Sequence, residues 1–251
     1  MSEIEITREG RVQIIRFNRA EKKNAITRAM YAQLASAIAD ADGNDEIGAT
    51  LFLGQPEVFT SGNDLMDFMA VATGGEKGTE VIDFLRAIIT GTKPLVAGID
   101  GLAVGVGCTM LMHCDLVYAS QRAWVQTPFT DLGLVPEAAS SLVAPRIMGP
   151  QRAFELLALS EKFSAEKAQS AGLVNAVVDI EELESVAMGA AQKLADKPAE
   201  SMRLTRELIR GDRSEIISQM EKEGAIFAER LVSDEARNAF VAFMNRGKKA
   251  S

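Results

Sequence analysis

The stretch Ile99 to Asp115, IDGLAVGVGCTMLMHCD, decides how the rest of the chain is read. Just before it, Pro94 to Ile99 has the length and apolar character of a buried strand and stops at Asp100-Gly101. Gly101, Gly105 and Gly107 then precede an apolar, helix-compatible segment from Cys108 to His113, so the backbone can come close to whatever lies there. The first N–H groups of a helix have no intrahelical partner; held between apolar walls, they suit an anion or a developing oxyanion. Close packing uses the same kind of turn, and GxxxGxG is not the GxGxxG spacing of a dinucleotide site.

A second turn of the same kind lies upstream. Phe59-Thr60-Ser61-Gly62-Asn63-Asp64-Leu65 follows the apolar run Ala49 to Leu53 and again sets a glycine where a loop turns toward an apolar segment. Two such turns can aim two backbone N–H groups at one point. Around them, Ile4, Ile6, Val12 and Ile14 alternate as in a β-hairpin, and Thr27 is placed to cap a helix through Met30, Leu34, Ile38 and Ala41. Met66 to Gly78 has the composition of a mobile loop. Val81, Leu85 and Ile88 mark the next helix, ended by Gly91. Asp115 to Ala119, Ala123 to Thr127 and Leu173 to Val178 are strand-like. Pro150 to Ala158 and Ala165 to Ala171, the latter capped by Ser164, are helical, as is the chain from about Leu183 onward. Strands alternating with helices at this spacing predict an α/β core, and no sequence repeat is visible.

The pair FTSGNDL and DGLAVGVGCTMLMHCD, followed by PFTDLGLVPEAASSLVAPRIMG, resembles the crotonase superfamily, the enoyl-CoA hydratase/isomerase family. The resemblance runs from the Asn18 to Ile26 segment to the C-terminal helices. It implies a spiral of ββα turns over residues 1–195 and a C-terminal helical region over 196–251 that builds trimers, often paired into hexamers. It implies an acyl-CoA thioester substrate and no cofactor beyond the coenzyme A of that substrate. By matching motifs, the backbone N–H groups of Asn63 and Val106 would form the oxyanion hole. Lys22-Lys23-Asn24-Ala25 would lie against the adenine and phosphates. Lys23, Ala25, Ser61, Asn63, Asp64, Leu65, Val106, Thr109 and Phe129 would contact substrate, with Thr127 beside Phe129 at the acyl pocket and Asp64 tethering its own turn.

The resemblance also exposes a departure. Family hydratases use two glutamates, at positions that hold Thr109 and Phe129 here, and neither residue can act as a carboxylate acid or base. The segment Pro136-Glu137-Ala138-Ala139-Ser140 instead resembles the site of the Δ3,Δ2-enoyl-CoA isomerases, which makes Glu137 the catalytic carboxylate. Apolar neighbours would raise its pKa and a helix N-terminus would lower it, leaving the net direction open at this level. Ser140 and Ser141 are candidate donors to it. The alternatives are a hydratase or other crotonase-type reaction on an acyl-CoA, and a non-catalytic oligomeric scaffold.

Composition narrows the field further. With 251 residues, 47% hydrophobic and 25% charged, the chain can bury a sizeable core, and its net charge of −8 argues against general nucleic-acid binding. There is no uninterrupted apolar run of membrane-spanning length, and MSEIEITREG lacks a charged-then-apolar pattern, so a cytosolic protein with no membrane partner is expected. The two cysteines, at 108 and 114 within one apolar segment, are expected to be reduced core residues. His113 is the sole histidine and reads as packed, which leaves no multi-histidine metal site.

Overall fold

The structure is a computed structural model that describes residues 2–67 and 78–249, with side chains as far as 242. The opening hairpin forms as its alternation predicts, Ile4–Glu9 (β1) against Val12–Phe17 (β2), antiparallel. Because β1 is the edge of its sheet, Ile4 is buried while Ile6, on the same face, stays exposed. From β2 inward the sheet is parallel: β2 pairs with Ala49–Leu53 (β3), then Leu95–Ile99 (β5), Leu116–Ser120 (β7) and Ala176–Val178 (β10). β3 and β5 are buried at every position, as unbroken apolar strands in a sheet covered on both faces must be.

A second sheet runs beside the first. Val58–Thr60 (β4), Leu102–Val104 (β6), Trp124–Gln126 (β8) and Phe163–Ser164 (β9) pair in that order. Each of β3, β5 and β7 therefore hands the chain from the large sheet to a short strand of the small one. This is the repeated turn that no sequence repeat announces.

Helices cover both faces of the large sheet. Arg28–Asp42 (α1), capped by Thr27 accepting the Met30 N–H at 3.3 Å, packs with Glu80–Thr90 (α2) through Leu34, Ile38, Phe84 and Ile88. On the opposite face Leu183–Ala195 (α7) presents Ala187, Ala191 and Ala195 to Val12, Leu51 and Val96, small side chains that let the helix lie close. The helix expected at Cys108 to His113 starts earlier, as a single turn Val106–Thr109 (α3) running into a 3₁₀ turn Met110–His113, because the chain reverses at Gly105. The last strand is shorter than expected, with Leu173 and Val174 buried ahead of it. Ser140–Met148 (α4), Pro150–Leu157 (α5) and Ala165–Ser170 (α6) follow the second turn region. The loop expected over Met66 to Gly78 lies, for residues 68–77, outside the described residues.

The C-terminal region is helical, as expected: Ala199–Arg210 (α8), Ser214–Leu231 (α9) and Asp234–Lys249 (α10). α8 is tied to the sheet by Asp115, which takes Arg206 at 2.8 Å and Arg210 at 3.0 Å. Its outer face leaves Leu208 and Ile209 exposed. No described helix is long and apolar enough to cross a membrane.

Candidate active site

Two loops are strapped together to make the first wall. The buried Asn24 side chain donates to the carbonyls of Val58 and Phe59, both at 3.0 Å, and accepts the Arg19 N–H at 2.7 Å, while Thr60 Oγ1 donates to the Asn24 carbonyl at 2.6 Å. Ile26 N–H donates to Gly62 O at 2.8 Å and Asp64 N–H to Ile26 O at 3.0 Å. In such a parallel bridge the residue between, Asn63, turns its own N–H to the other side. Among the described residues that N–H has no partner.

The second turn presses on the first. A Cβ on Gly62, which has φ +87°, would stand 2.7 Å from Val104 O, and one on Gly107 would stand 2.6 Å from Thr60 Cγ2, so only glycine lets the two turns touch. Gly105 N–H is spent on Gln126 O at 2.9 Å. Val106 N–H, at the start of α3, has no partner among the described residues. Two unspent donors thus come from two turns in contact.

Glu137 lies beyond them in a turn of its own. It precedes α4 by two residues in the left-handed region, Ala138 (φ 59°) and Ala139 (φ 56°), so it is not on the helix start that its sequence suggests. Its Oε1 accepts the Thr109 hydroxyl, and its Oε2 is buried without a partner. The direction left open by the sequence is settled by burial. Desolvation, opposed by the Thr109 hydrogen bond and reinforced by the charge of Glu223, pushes the Glu137 carboxyl up to about 7. The serines do not serve it: Ser140 Oγ has no partner, and Ser141 Oγ donates to Glu223.

Glu137 and Ala138 border a cleft whose walls are apolar side chains of three helices. Ile26 and Tyr31 come from α1 and its approach, Val81, Ile82 and Leu85 from α2, and Met220, Phe227 and Leu231 from α9. Asn63 and Asp64 are on its lining as well. Asp64 is bound to Arg19 at 2.7 Å and to the Met66 N–H at 2.9 Å; burial pushes its carboxyl up, but these contacts outweigh burial and hold it below the usual range. Arg28 and Glu80 pair at the rim at 2.8 Å.

The remaining predicted contacts sit differently. Thr109 and Phe129 lie behind the wall rather than on it. Thr109 is sealed beneath Glu137, and Phe129 packs edge-on against Phe227 with ring centroids 6.5 Å apart. Thr127 is buried and donates to Leu156 O at 2.6 Å. Val106 is also fully buried, so only its backbone N–H is relevant. Lys23 is exposed and in the left-handed region, its carbonyl holding the half-buried Ser61 N–H at 2.9 Å; Ala25 and Leu65 are half-buried. None of these four lines the cleft.

His113 is packed, as expected. Its Nε2 meets Ala138 O at 2.7 Å, and burial lowers its pKa to about 4, so the neutral ring donates there. No cluster of metal-ligating side chains occurs among the described residues.

Sequence reading missed Tyr31 and Glu223. Tyr31 OH donates to Asn63 Oδ1 at 2.5 Å, and burial, with Glu137 and Asp67 nearby, holds the phenol neutral. A hydroxyl on an otherwise apolar helix face, one residue after Met30, was the available signal.

A family model described as enoyl-CoA hydratase/isomerase matches residues 7–250. The chain belongs to the enoyl-CoA hydratase/isomerase family. It is 38% identical over 250 residues to rat enoyl-CoA delta isomerase 2, an alignment covering 97% of this chain and 64% of the rat protein. The chain therefore spans somewhat less than two thirds of that relative's length. It is 34% identical over 258 residues to mouse peroxisomal enoyl-CoA delta isomerase 3, covering 99% of this chain and 80% of the relative. The crystal structure of an enoyl-CoA hydratase/isomerase from Pseudoalteromonas atlantica T6c superposes with a TM-score of 0.93 at 40% identity, covering 98% of each chain. The two sheets and their covering helices are thus the crotonase fold of the enoyl-CoA hydratase/isomerase family.

Proposed function

We propose that this protein moves the double bond of a 3-enoyl-CoA to C2 in fatty-acid β-oxidation, with Glu137 as its single acid–base group. The observation that carries this is Glu137, the one buried carboxyl among the described residues that line the apolar cleft. Other carboxylates on the lining are occupied: Asp64 by Arg19, Glu80 by Arg28, and Asp67 by the Arg28 N–H at 2.9 Å. Among the described residues no cation pairs with Glu137, and with a pKa near 7 it is a stronger base than an ordinary glutamate, about half ionised at neutral pH and more so above it. The names of the rat and mouse relatives support the same reaction class.

In this reading Glu137 removes a proton from C2, and the electron pair spreads into a dienolate whose negative oxygen accepts from the N–H groups of Asn63 and Val106. Such donors contribute a few kcal/mol each in comparable sites, about 3 kcal/mol. The C3–C4 double bond becomes C2–C3 as the same carboxyl returns the proton at C4, so no net proton, water or electron is consumed. Lys22 and Lys23 hold the coenzyme A phosphates from the exposed side of the strapped loop. The chain acts as a homotrimer or hexamer, with the exposed Leu208 and Ile209 of α8 available for burial; a monomeric mass at micromolar concentration would count against that.

The test compares wild type with Glu137→Gln on a 3-enoyl-CoA and, in parallel, on crotonyl-CoA. Isomerisation should fall by about a hundredfold or more in the variant while calorimetry still detects the CoA ester. Hydration of crotonyl-CoA should be negligible in both. Unchanged isomerisation in the variant, or robust hydration by wild type, removes this assignment.

A further inference from the structure

Among the described residues only two carboxylates are buried, Glu137 and Glu223. Glu223 is 4% exposed on α9, the helix that gives Met220, Gly224 and Phe227 to the cleft wall. Its Oε1 accepts the Ser141 N–H at 3.1 Å and the Ser141 hydroxyl at 2.5 Å; Gln219 Nε2 donates to that hydroxyl at 2.9 Å. Its Oε2 is buried without a partner, and no cation pairs with it, among the described residues. A glutamine would make the same contacts to Ser141 without the cost of burying a charge, so the hydrogen bonds alone do not account for a carboxyl here.

Its location does. Ser141 is the second residue of α4, two residues beyond Ala139; Ala138 and Ala139 are consecutive left-handed backbones that each cost roughly 1–2 kcal/mol. A strained turn persists only when its surroundings fix it from several sides. Thr109 holds the Glu137 carboxyl, His113 holds the Ala138 carbonyl, Ser140 N–H closes on Glu137 O at 3.0 Å, and Glu223 holds the exit through Ser141.

We propose that Glu223 is a positioning residue for Glu137: through Ser141 it fastens the turn that carries the base, and it acts on the base as a second negative charge. The proposal rests on the reading of Glu137 as that base. A base that must hold the proton between C2 and C4 benefits from a neighbour that favours its acid form. The other groups facing Glu137 keep one charge state. Tyr31 on α1 and Cys108 on α3 stay protonated because burial drives both up, and His113 stays neutral. Asp67 acts on Tyr31, and Arg210 and Arg213 act on His113. At the rim, Glu80 is paired with Arg28 and Asp64 with Arg19.

The decisive experiment follows the Glu137 carboxyl by ¹³C NMR titration in wild type and Glu223→Gln, with Glu137→Gln assigning the resonance. In Glu223→Gln the contacts to Ser141 survive and Glu137 should titrate at lower pH. The acidic limb of kcat/KM should move the same way, so that activity at pH 6, as a fraction of its plateau, rises about twofold or more. Glu223→Ala should lower kcat about tenfold with KM little changed, because the turn is loosened. A Glu137 titration identical in wild type and Glu223→Gln overturns the proposal, as does wild-type kcat in Glu223→Ala. If Glu223→Ala fails to fold, the Glu223→Gln titration still decides. The titration needs no substrate, so it separates failure of this inference from failure of the isomerase reading, which shows instead as wild type inactive on 3-enoyl-CoA.

Discussion

Replacing Glu137 by glutamine should stabilise the folded protein at neutral and alkaline pH, and the pH dependence of that gain is the sharpest check on the site. The carboxyl sits at about 7 in the folded chain against an ordinary 4.5, chiefly because burial strips it of water. Between those values the folded protein keeps a proton that the unfolded chain has released. The unfolded state then binds fewer protons, so stability falls as pH rises through the window, and the loss is complete above about pH 7. The size of the loss is about 3 kcal/mol. Glutamine does not ionise and escapes it. Its amide nitrogen, placed where Oε2 lies without a partner, costs about 1–2 kcal/mol at every pH.

The diagnostic quantity is therefore the change in the difference between the two proteins, not the difference at one pH. Urea unfolding followed by circular dichroism at fixed protein concentration, from pH 4.5 to 8, should show the variant gaining about 3 kcal/mol on wild type across the range. Glu223 titrates in both proteins, and most of its contribution cancels. A difference that stays flat across the range would mean that Glu137 ionises in the folded protein as it does in water. That result would refute the desolvation on which its proposed role as base depends.

Thr109→Val removes the hydroxyl that favours the ionised form of Glu137, so the acidic limb of kcat/KM should move to higher pH, opposite to Glu223→Gln; a pH–rate profile reads the sign. Tyr31→Phe leaves the Asn63 Oδ1 without its 2.5 Å donor and should cost about 1–2 kcal/mol in urea unfolding, with kcat reduced more than KM is raised if the turn shifts. Asp115→Ala strands Arg206 and Arg210, whose side chains are only 8% and 11% exposed, and should destabilise by about 3–5 kcal/mol in the same assay.

What the sequence disclosed was what its chemistry keeps local. The glycine turns at 62 and 107 were legible because a forbidden Cβ leaves a glycine behind, and Thr27 and Ser164 because caps act within one turn. Glu137 was legible by resemblance, but its conformation was not. Two alanines in left-handed backbone carry no mark in the sequence, so the carboxyl was placed at a helix start that it in fact precedes. The spiral was hidden for a simpler reason. Of the four strands of its small sheet only β8, within Ala123 to Thr127, was legible; β4, β6 and β9 are three residues or fewer, too short for period-two alternation to register. Helical periodicity identified α5 yet gave no hint that Phe154 faces outward, since burial depends on what arrives from elsewhere in the chain. Tyr31, Phe227 and Glu223 reach the site from remote helices, and nothing near them in sequence says so.

The identities at 109, 137 and 223 are also linked by energy, which explains why the departures from the hydratase pattern come together. Position 109 is fully buried against the Glu137 carboxyl, and Glu223 is a second buried carboxyl acting on it, with no cation paired to either among the described residues. A glutamate at 109 would add a third buried carboxylate where, among the described residues, no cation pairs with the other two, a burden of several kcal/mol per ion. Threonine instead supplies the one thing Glu137 lacks, a hydrogen-bond donor that leaves no charge behind. Phenylalanine at 129 seals the other side against Phe227, where a carboxylate would need solvent. With Glu137 in its turn and Glu223 behind it, further ionised glutamates at this place would be costly, which is consistent with the proposed transfer of one proton from C2 to C4 by a single base.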